Sequence, residues 1–116
     1  MSDFSEISLD LINQGSALMA QENFEEALKK FKEAQQESPK YVECYLNLGN
    51  VLACLENYEE AIDAFKKALM LDEKSVEALF GLGNIMYLQD NIIDAVKYYN
   101  QAESTGDLSD EMCDVI

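Results

Sequence analysis

The sequence predicts an all-α fold, an α-solenoid built from three antiparallel helical hairpins. First, the 116-residue chain matches itself when it is shifted by 34 residues. Second, apolar residues inside each copy recur at three- and four-residue steps, which is the period of an amphipathic helix. Third, 48% hydrophobic and 27% charged residues, with one proline and five glycines, are typical of one folded, helix-rich domain.

Four columns of this self-alignment keep the same kind of residue in all three copies. They hold a glycine, an alanine, an aromatic residue and a second alanine: Gly15, Gly49 and Gly83; Ala27, Ala61 and Ala95; Phe31, Phe65 and Tyr99; Ala34, Ala68 and Ala102. Small residues let two helix backbones approach closely, and the aromatic side chain fills the space beside them. Each copy is therefore predicted to be a pair of packed helices.

Short polar segments separate the two helices of each predicted hairpin. They are Gln21-Glu22-Asn23, Glu56-Asn57 and Asp90-Asn91, lengths that suit antiparallel neighbours. Between the first two copies, Pro39 predicts the end of a helix, because proline disfavours helical geometry in the residue before it. The later junctions carry Asp72-Glu73 and Gly106-Asp107, and Gly106 can still terminate a helix.

Residues 45–72, YLNLGNVLACLENYEEAIDAFKKALMLD, resemble the tetratricopeptide repeat (TPR). The first positions of the three copies are then Ser8, Val42 and Val76. The implied repeats, which together cover 102 residues, span 8–41, 42–75 and 76–109. The later two copies lack the proline that the family usually carries after its second helix. The resemblance implies a scaffold that holds another protein, without naming the partner, because TPRs serve many unrelated complexes.

Residues 110–116 are expected to form a capping segment. Its apolar stripe consists of Leu108, Met112, Val115 and Ile116, with Ser109 or Asp110 in place for an N-cap. The stripe fits either a capping helix or the truncated first helix of a fourth repeat. Because it stops on an apolar column, we expect the chain to be cut from a longer protein.

Charge is strongly one-sided, with eight lysines and no arginine against 23 acidic residues, a net charge of -15. This surface repels nucleic-acid phosphates and anionic lipid headgroups, so we expect neither nucleic acid nor a membrane as partner. It attracts neutral to basic proteins or peptides. The start of the chain lacks the basic segment of a signal peptide, and no apolar run approaches the roughly 18 residues of a membrane span. A cytoplasmic location is therefore expected.

The first helix of each copy carries a second stripe, at relative positions 2, 5, 6, 9, 12 and 13, which the core pattern does not use. In TPR proteins this stripe lines the concave groove, and the resemblance implies the same role here. The predicted peptide-binding groove comprises Ile12, Asn13, Ser16, Met19, Glu43, Leu46, Asn47, Asn50, Cys54, Glu77, Phe80, Asn84 and Tyr87. Only Glu43 and Glu77 carry charge in this stripe, so it differs from the rest of the surface.

Asparagines recur in the predicted groove. Asn13 and Asn47 share relative position 6, and Asn50 and Asn84 share position 9. An amide offers a donor and an acceptor to any peptide backbone, and the set resembles the asparagine ladders of peptide-binding TPRs. Hydrogen bonding between repeats is the alternative interpretation of these asparagines.

Some TPR co-chaperones bind the C-terminal carboxylate of a heat-shock protein through basic residues and asparagines at fixed groove positions. The corresponding residues are Ile12, Ser16, Asn47, Glu77 and Gly81. Only Asn47 fits, and the charge of Glu77 would repel a partner carboxylate. A chaperone-tail receptor is therefore disfavoured.

No catalytic site, cofactor or metal is expected. The chain has no histidine, so the usual pairs of a nucleophile and a base cannot be built. Cys44, Cys54 and Cys113 follow no metal-ligand spacing and are interpreted as reduced packing residues. Glu25-Glu26 and Glu59-Glu60 open predicted helices, where they complement the positive end of the helix dipole.

We therefore predict a non-enzymatic scaffold or adaptor that binds an extended peptide segment in its groove. Self-assembly through the apolar C-terminal end, or a structural role inside a larger TPR protein, is the first alternative. A small acidic bacterial secretion chaperone is a narrower alternative, because such chaperones are also three-repeat proteins.

Overall fold

The computed structural model describes residues 6–105, which form six α-helices and no strand. The helices are α1 (Glu6–Ala20), α2 (Phe24–Glu37), α3 (Val42–Cys54), α4 (Tyr58–Leu71), α5 (Val76–Leu88) and α6 (Ile92–Thr105). The most extensive packing joins α1 to α2, α3 to α4 and α5 to α6. The prediction of an all-α solenoid of three helical hairpins is confirmed.

The turn inside each hairpin has the same construction. Each turn contains one residue with left-handed backbone geometry. These residues are Glu22, Glu56 and Asp90, with φ of 61°, 63° and 65°. In the first hairpin, the N–H groups of Glu22 and Asn23 donate to the carbonyls of Met19 and Leu18 at 2.9 and 2.8 Å, which closes a Schellman motif. The same two bonds close the other turns. The polar turns therefore end their helices without a glycine, at a conformational cost of about 1 kcal/mol each.

The repeated small residues lie where two helices meet. All six alanines of the two alanine columns are at most 1% exposed. A Cβ atom added to Gly15 would lie 2.5 Å from Phe31 Cε1, and one added to Gly83 would lie 2.6 Å from Tyr99 Cε1. Because real Cβ atoms do not come this close, the aromatic ring of each second helix packs directly on the backbone of the first. The glycine and aromatic columns thus fix the spacing of each hairpin.

The junctions between hairpins are closed in two different ways. At the first, Ser8 Oγ donates to Ser38 Oγ at 2.6 Å, and Tyr45 Oη donates to the carbonyl of Pro39 at 2.7 Å. At the second, the Ser75 hydroxyl accepts from the N–H of Ala78 at 3.2 Å and caps α5. α2 ends one residue before the Ser38-Pro39 pair, in agreement with the helix-breaking role of proline.

The first helices of the three hairpins stand side by side. α3 contacts both α1 and α5, while α2 packs on α3 and α4 packs on α5. The six helices fit three repeats, and the limits 8–41, 42–75 and 76–109 remain predictions. The capping segment 110–116 and the Gly106-Asp107 junction lie outside the described residues. Within residues 6–105, no helix combines the length and the apolar character that crossing a bilayer requires.

Candidate functional site

We term the face of α1, α3 and α5 that carries the predicted groove positions the A-helix surface. It carries the thirteen residues of the predicted groove, at relative positions 2, 5, 6, 9, 12 and 13 of the three copies. Two clefts open on it where α3 and α5 meet, and both include Leu46 and Glu77 in their lining. The part of the surface between α3 and α5 therefore offers concave space for a ligand.

The first cleft, which we term the Phe65 cleft, has a volume of about 220 Å³. Its lining consists of Leu46, Asn50, Phe65, Glu77, Phe80, Gly81 and Asn84. The Phe65 ring is buried, at 1% exposure, whereas the Phe80 ring is 44% exposed. An exposed ring beside a buried one gives this cleft an apolar character that the acidic surface otherwise lacks.

A glycine keeps the Phe65 cleft open. A Cβ atom on Gly81 would lie 2.5 Å from Phe65 Cζ, and one on Gly49 would lie 2.6 Å from the same atom. The Phe65 ring therefore lies between the backbones of α3 and α5. Gly81 occupies relative position 6, where the other copies carry Asn13 and Asn47. Sequence reasoning placed Phe65 in the core and did not connect it with the site, although the loss of the asparagine at Gly81 was a visible signal.

The second cleft, which we term the joint cleft, lies at the start of α3 and α5 and has a volume of about 410 Å³. Its charged lining residues are Lys40, Glu43, Asp72, Lys74 and Glu77. The one ion pair among residues 6–105 joins Lys29 to Glu26, so neither lysine of this cleft lies within ion-pair distance of a carboxylate. Glu43 and Glu77 therefore present their charges to this cleft without a lysine partner.

The electrostatics of the joint cleft are visible in one carboxyl group. Burial, followed by the charge of Glu77, raises the pKa of Glu43 above its usual value. Both effects disfavour the ionised form of Glu43, and the attraction of a cation placed beside it would offset them. The two acidic residues of the predicted groove are thus electrostatic neighbours, one on each side of the junction between α3 and α5.

The four asparagines differ in their hydrogen bonds. Asn47 Nδ2 donates to the carbonyl of Glu43 in its own helix at 2.8 Å, which leaves Oδ1 as its acceptor. Asn84 Oδ1 accepts from Tyr99 Oη at 2.6 Å, a hydrogen bond within one hairpin and not between repeats. Among residues 6–105, the side chains of Asn13 and Asn50 have no hydrogen-bond partner. Asn50 alone combines a free amide with a place in the Phe65 cleft.

The remaining predicted groove residues lie outside the two clefts. Ile12 is 8% exposed and belongs to the hydrophobic core, so it presents little surface to a ligand. Met19 also packs partly against the core. Asn47 is half-buried and lines neither cleft, and the others outside the clefts are exposed: Asn13, Ser16, Cys54 and Tyr87. Leu46 is buried as well, yet it lines both clefts.

Of the two described cysteines, Cys44 is buried and Cys54 is exposed. Burial, and secondly the charge of Glu43, raises the pKa of the Cys44 thiol to about 11. Burial also raises the pKa of the Cys54 thiol. Both thiols are therefore protonated at neutral pH and are poor nucleophiles. Among the described residues, no group of three His, Cys, Asp or Glu residues has the geometry to hold a metal ion.

Comparison with known proteins identifies the family. Two profiles described as tetratricopeptide repeat match residues 5–74 and 46–109. The chain belongs to the tetratricopeptide-repeat family. The TPR fold is a protein-interaction fold, so the family membership supports a protein-interaction module. No curated protein sequence matches the chain.

Three solved TPR-like structures illustrate the likeness in fold. The first TPR of Spaghetti (RPAP3), bound to the HSP90 peptide SRMEEVD, has a TM-score of 0.83 and 18% identity, covering 87% of this chain and 80% of that chain. The type III secretion translocator chaperone SycD of Yersinia enterocolitica has a TM-score of 0.83 and 17% identity, with coverages of 87% and 76%. MamA has a TM-score of 0.79 and 21% identity over 90% of this chain, which spans only 60% of that structure. At these identities the likeness shows the fold alone.

Proposed function

We propose that this TPR chain is a scaffold that binds an extended, neutral to basic peptide segment of another protein along its A-helix surface. The observation that carries the proposal is the unbonded amide of Asn50 beside the Phe65 cleft. A peptide backbone can satisfy this amide whatever its side chains, and an apolar side chain can enter the cleft. The bound peptide of the Spaghetti TPR is a precedent for the fold.

The charge of the partner follows from the chain itself. The net charge is -15, and the two charged residues of the predicted groove, Glu43 and Glu77, are both acidic. An acidic peptide such as the HSP90 peptide SRMEEVD of the Spaghetti complex would meet repulsion from both residues. The proposal therefore differs from a chaperone-tail receptor in the charge of the ligand. The proposal also includes a cytoplasmic location, because Cys44 and Cys54 are free thiols.

Peptide selection followed by titration tests this proposal. Peptides are selected from a random display library on the wild-type chain, and their affinities are then measured for a variant carrying Asn47→Ala and Asn50→Ala. We expect binding about ten-fold weaker, because two backbone hydrogen bonds of about 1 kcal/mol each are partly lost. Asn100→Ala, an exposed asparagine on α6, is the matched control and should bind as the wild type does. Unchanged affinity in the double variant would show that the peptides do not bind through these asparagines of the A-helix surface.

Self-assembly is a second candidate, and one observation favours it. The last hairpin exposes four large apolar residues, between 47% and 72% each: Leu88, Ile92, Ile93 and Val96. A following repeat, or a second copy of the chain, could cover them. Light scattering at several concentrations separates the candidates, since strictly monomeric behaviour would count against self-assembly. The likeness to SycD keeps a secretion-type chaperone as the narrower alternative, which neighbouring genes would decide.

A further inference from the structure

The two clefts between α3 and α5 are adjoining compartments with different chemistry. Leu46 and Glu77 line both of them, so one extended ligand can occupy both. The Phe65 cleft is bounded by the rings of Phe65 and Phe80 and is left open by Gly81. A volume of about 220 Å³ is room for one large side chain.

The joint cleft provides the opposite chemistry. The carboxylates of Glu43 and Glu77 come from α3 and α5, the same two helices that form the Phe65 cleft. Lys40 and Lys74 also line this cleft, but neither forms an ion pair with a carboxylate of residues 6–105. A positive side chain between the two carboxylates would therefore relieve their mutual repulsion and would not have to displace an existing partner.

We propose that the bound segment carries a large apolar residue in the Phe65 cleft and a lysine or arginine in the joint cleft, two positions away. The spacing follows from the geometry of an extended chain. The two clefts adjoin, since Leu46 and Glu77 line both, and the nearest side chains on the same face of an extended chain are two residues, or about 6.8 Å, apart. This inference rests on the proposed function, because it specifies the peptide that the A-helix surface binds.

The sequences of the selected peptides test the inference directly. Wild-type chain should select peptides that are enriched in Leu, Ile, Met or Phe at one position and in Lys or Arg two positions away. Within a selected peptide, replacing the basic residue by serine should weaken binding about five- to ten-fold, and more at low ionic strength. Replacing the apolar residue by serine should weaken it at least as much.

Variants of the protein assign each preference to its cleft. Glu43→Gln with Glu77→Gln should lose the preference for the basic residue and keep the apolar one. Glu33→Gln with Glu37→Gln removes the same charge from α2 and should change neither preference. Phe80→Ala should reduce the apolar preference, whereas Met70→Ala, an exposed apolar residue on α4, should not. Circular dichroism and thermal unfolding confirm that each variant remains folded.

The outcomes separate the two proposals. Peptides that need Asn47 and Asn50 but show no basic residue near the apolar one would overturn this inference and leave the peptide-binding proposal standing. A basic preference that survives in the Glu43→Gln, Glu77→Gln variant would also overturn it. If the library yields no binding peptide at all, or peptides indifferent to the asparagines, the peptide-binding proposal fails and this inference fails with it.

Discussion

The two halves of the A-helix surface are built from the same repeat, yet they present different chemistry. On α1 and α3, relative position 6 carries Asn13 and Asn47, and Ile12 of α1 belongs to the core. On α5 the same position is Gly81, which leaves the Phe65 cleft open beside an exposed Phe80. The repeat sets the spacing of the helices, and one small residue decides where the surface becomes concave and apolar.

The aromatic column shows the same contrast inside the hairpins. Phe31 and Phe65 are fully buried, whereas the third copy has the half-buried Tyr99. The Tyr99 hydroxyl reaches Asn84, and its ring lies 5.8 Å from the Phe80 ring, measured between centroids. In the second copy the equivalent residues are Asn50 and Phe65. Because phenylalanine has no hydroxyl group to donate, the Asn50 amide stays free. The difference between the two asparagines at position 9 therefore follows from one hydroxyl group.

The largest expected effect comes from removing the ring that α3 and α5 share. Phe31→Ala and Phe65→Ala should each lower the free energy of unfolding by about 3–5 kcal/mol, because each leaves a large cavity in the core. Phe65→Ala should be the more destabilising, since its ring contacts the backbones of Gly49 and Gly81 in two successive hairpins. Urea unfolding measures both values. If Phe31→Ala lowers the free energy of unfolding as much as Phe65→Ala or more, the half of the A-helix surface between α3 and α5 does not depend on the Phe65 ring.

A smaller effect is expected from the hydroxyl group that engages Asn84. Tyr99→Phe should lower the free energy of unfolding by about 0.5 kcal/mol, because it removes one hydrogen bond on an exposed surface. Tyr98→Phe on the same helix is the matched control and should change stability less. The freed Asn84 amide should also shift in the NMR spectrum when a selected peptide is added. If Tyr99→Phe and Tyr98→Phe have the same effect, the hydrogen bond does not distinguish Asn84 from Asn50.

The sequence predicted the architecture well because the architecture depends on periodic contacts. The alanine and glycine columns recur every 34 residues, and their burial follows directly from that period. The clefts depend on departures from the period, at Gly81 and Tyr99, and on which neighbour stands across the junction. Those contacts join residues of different helices, so no local pattern reveals them. The burial of Ile12 was missed for the same reason, because its position in the stripe matches that of the exposed Phe80.

The smallest expected effect concerns the charge of Glu43 in the joint cleft. Because burial and then Glu77 raise its pKa, ionised Glu43 destabilises the folded chain relative to the unfolded chain. This destabilisation is fully present above the raised pKa of the folded chain. As the pH falls, the folded chain takes up the Glu43 proton before the unfolded chain does, so the destabilisation fades and is lost below the usual pKa of 4.5. Glu43→Gln should therefore stabilise the chain at pH 7 by a few tenths of a kcal/mol, roughly the size that solvent screening leaves to such pairs.

Thermal unfolding at pH 7 and at pH 4 measures this effect, with Glu33→Gln on α2 as a control that removes the same charge. The gain from Glu43→Gln should be present at pH 7 and absent at the lower pH. In the variant Glu77→Gln, an NMR titration should find the pKa of Glu43 closer to its usual value, because one of its two causes is gone. If Glu43→Gln and Glu33→Gln behave alike at both pH values, the two carboxylates do not act on each other, and the joint cleft loses its electrostatic distinction from the half of the surface between α1 and α3.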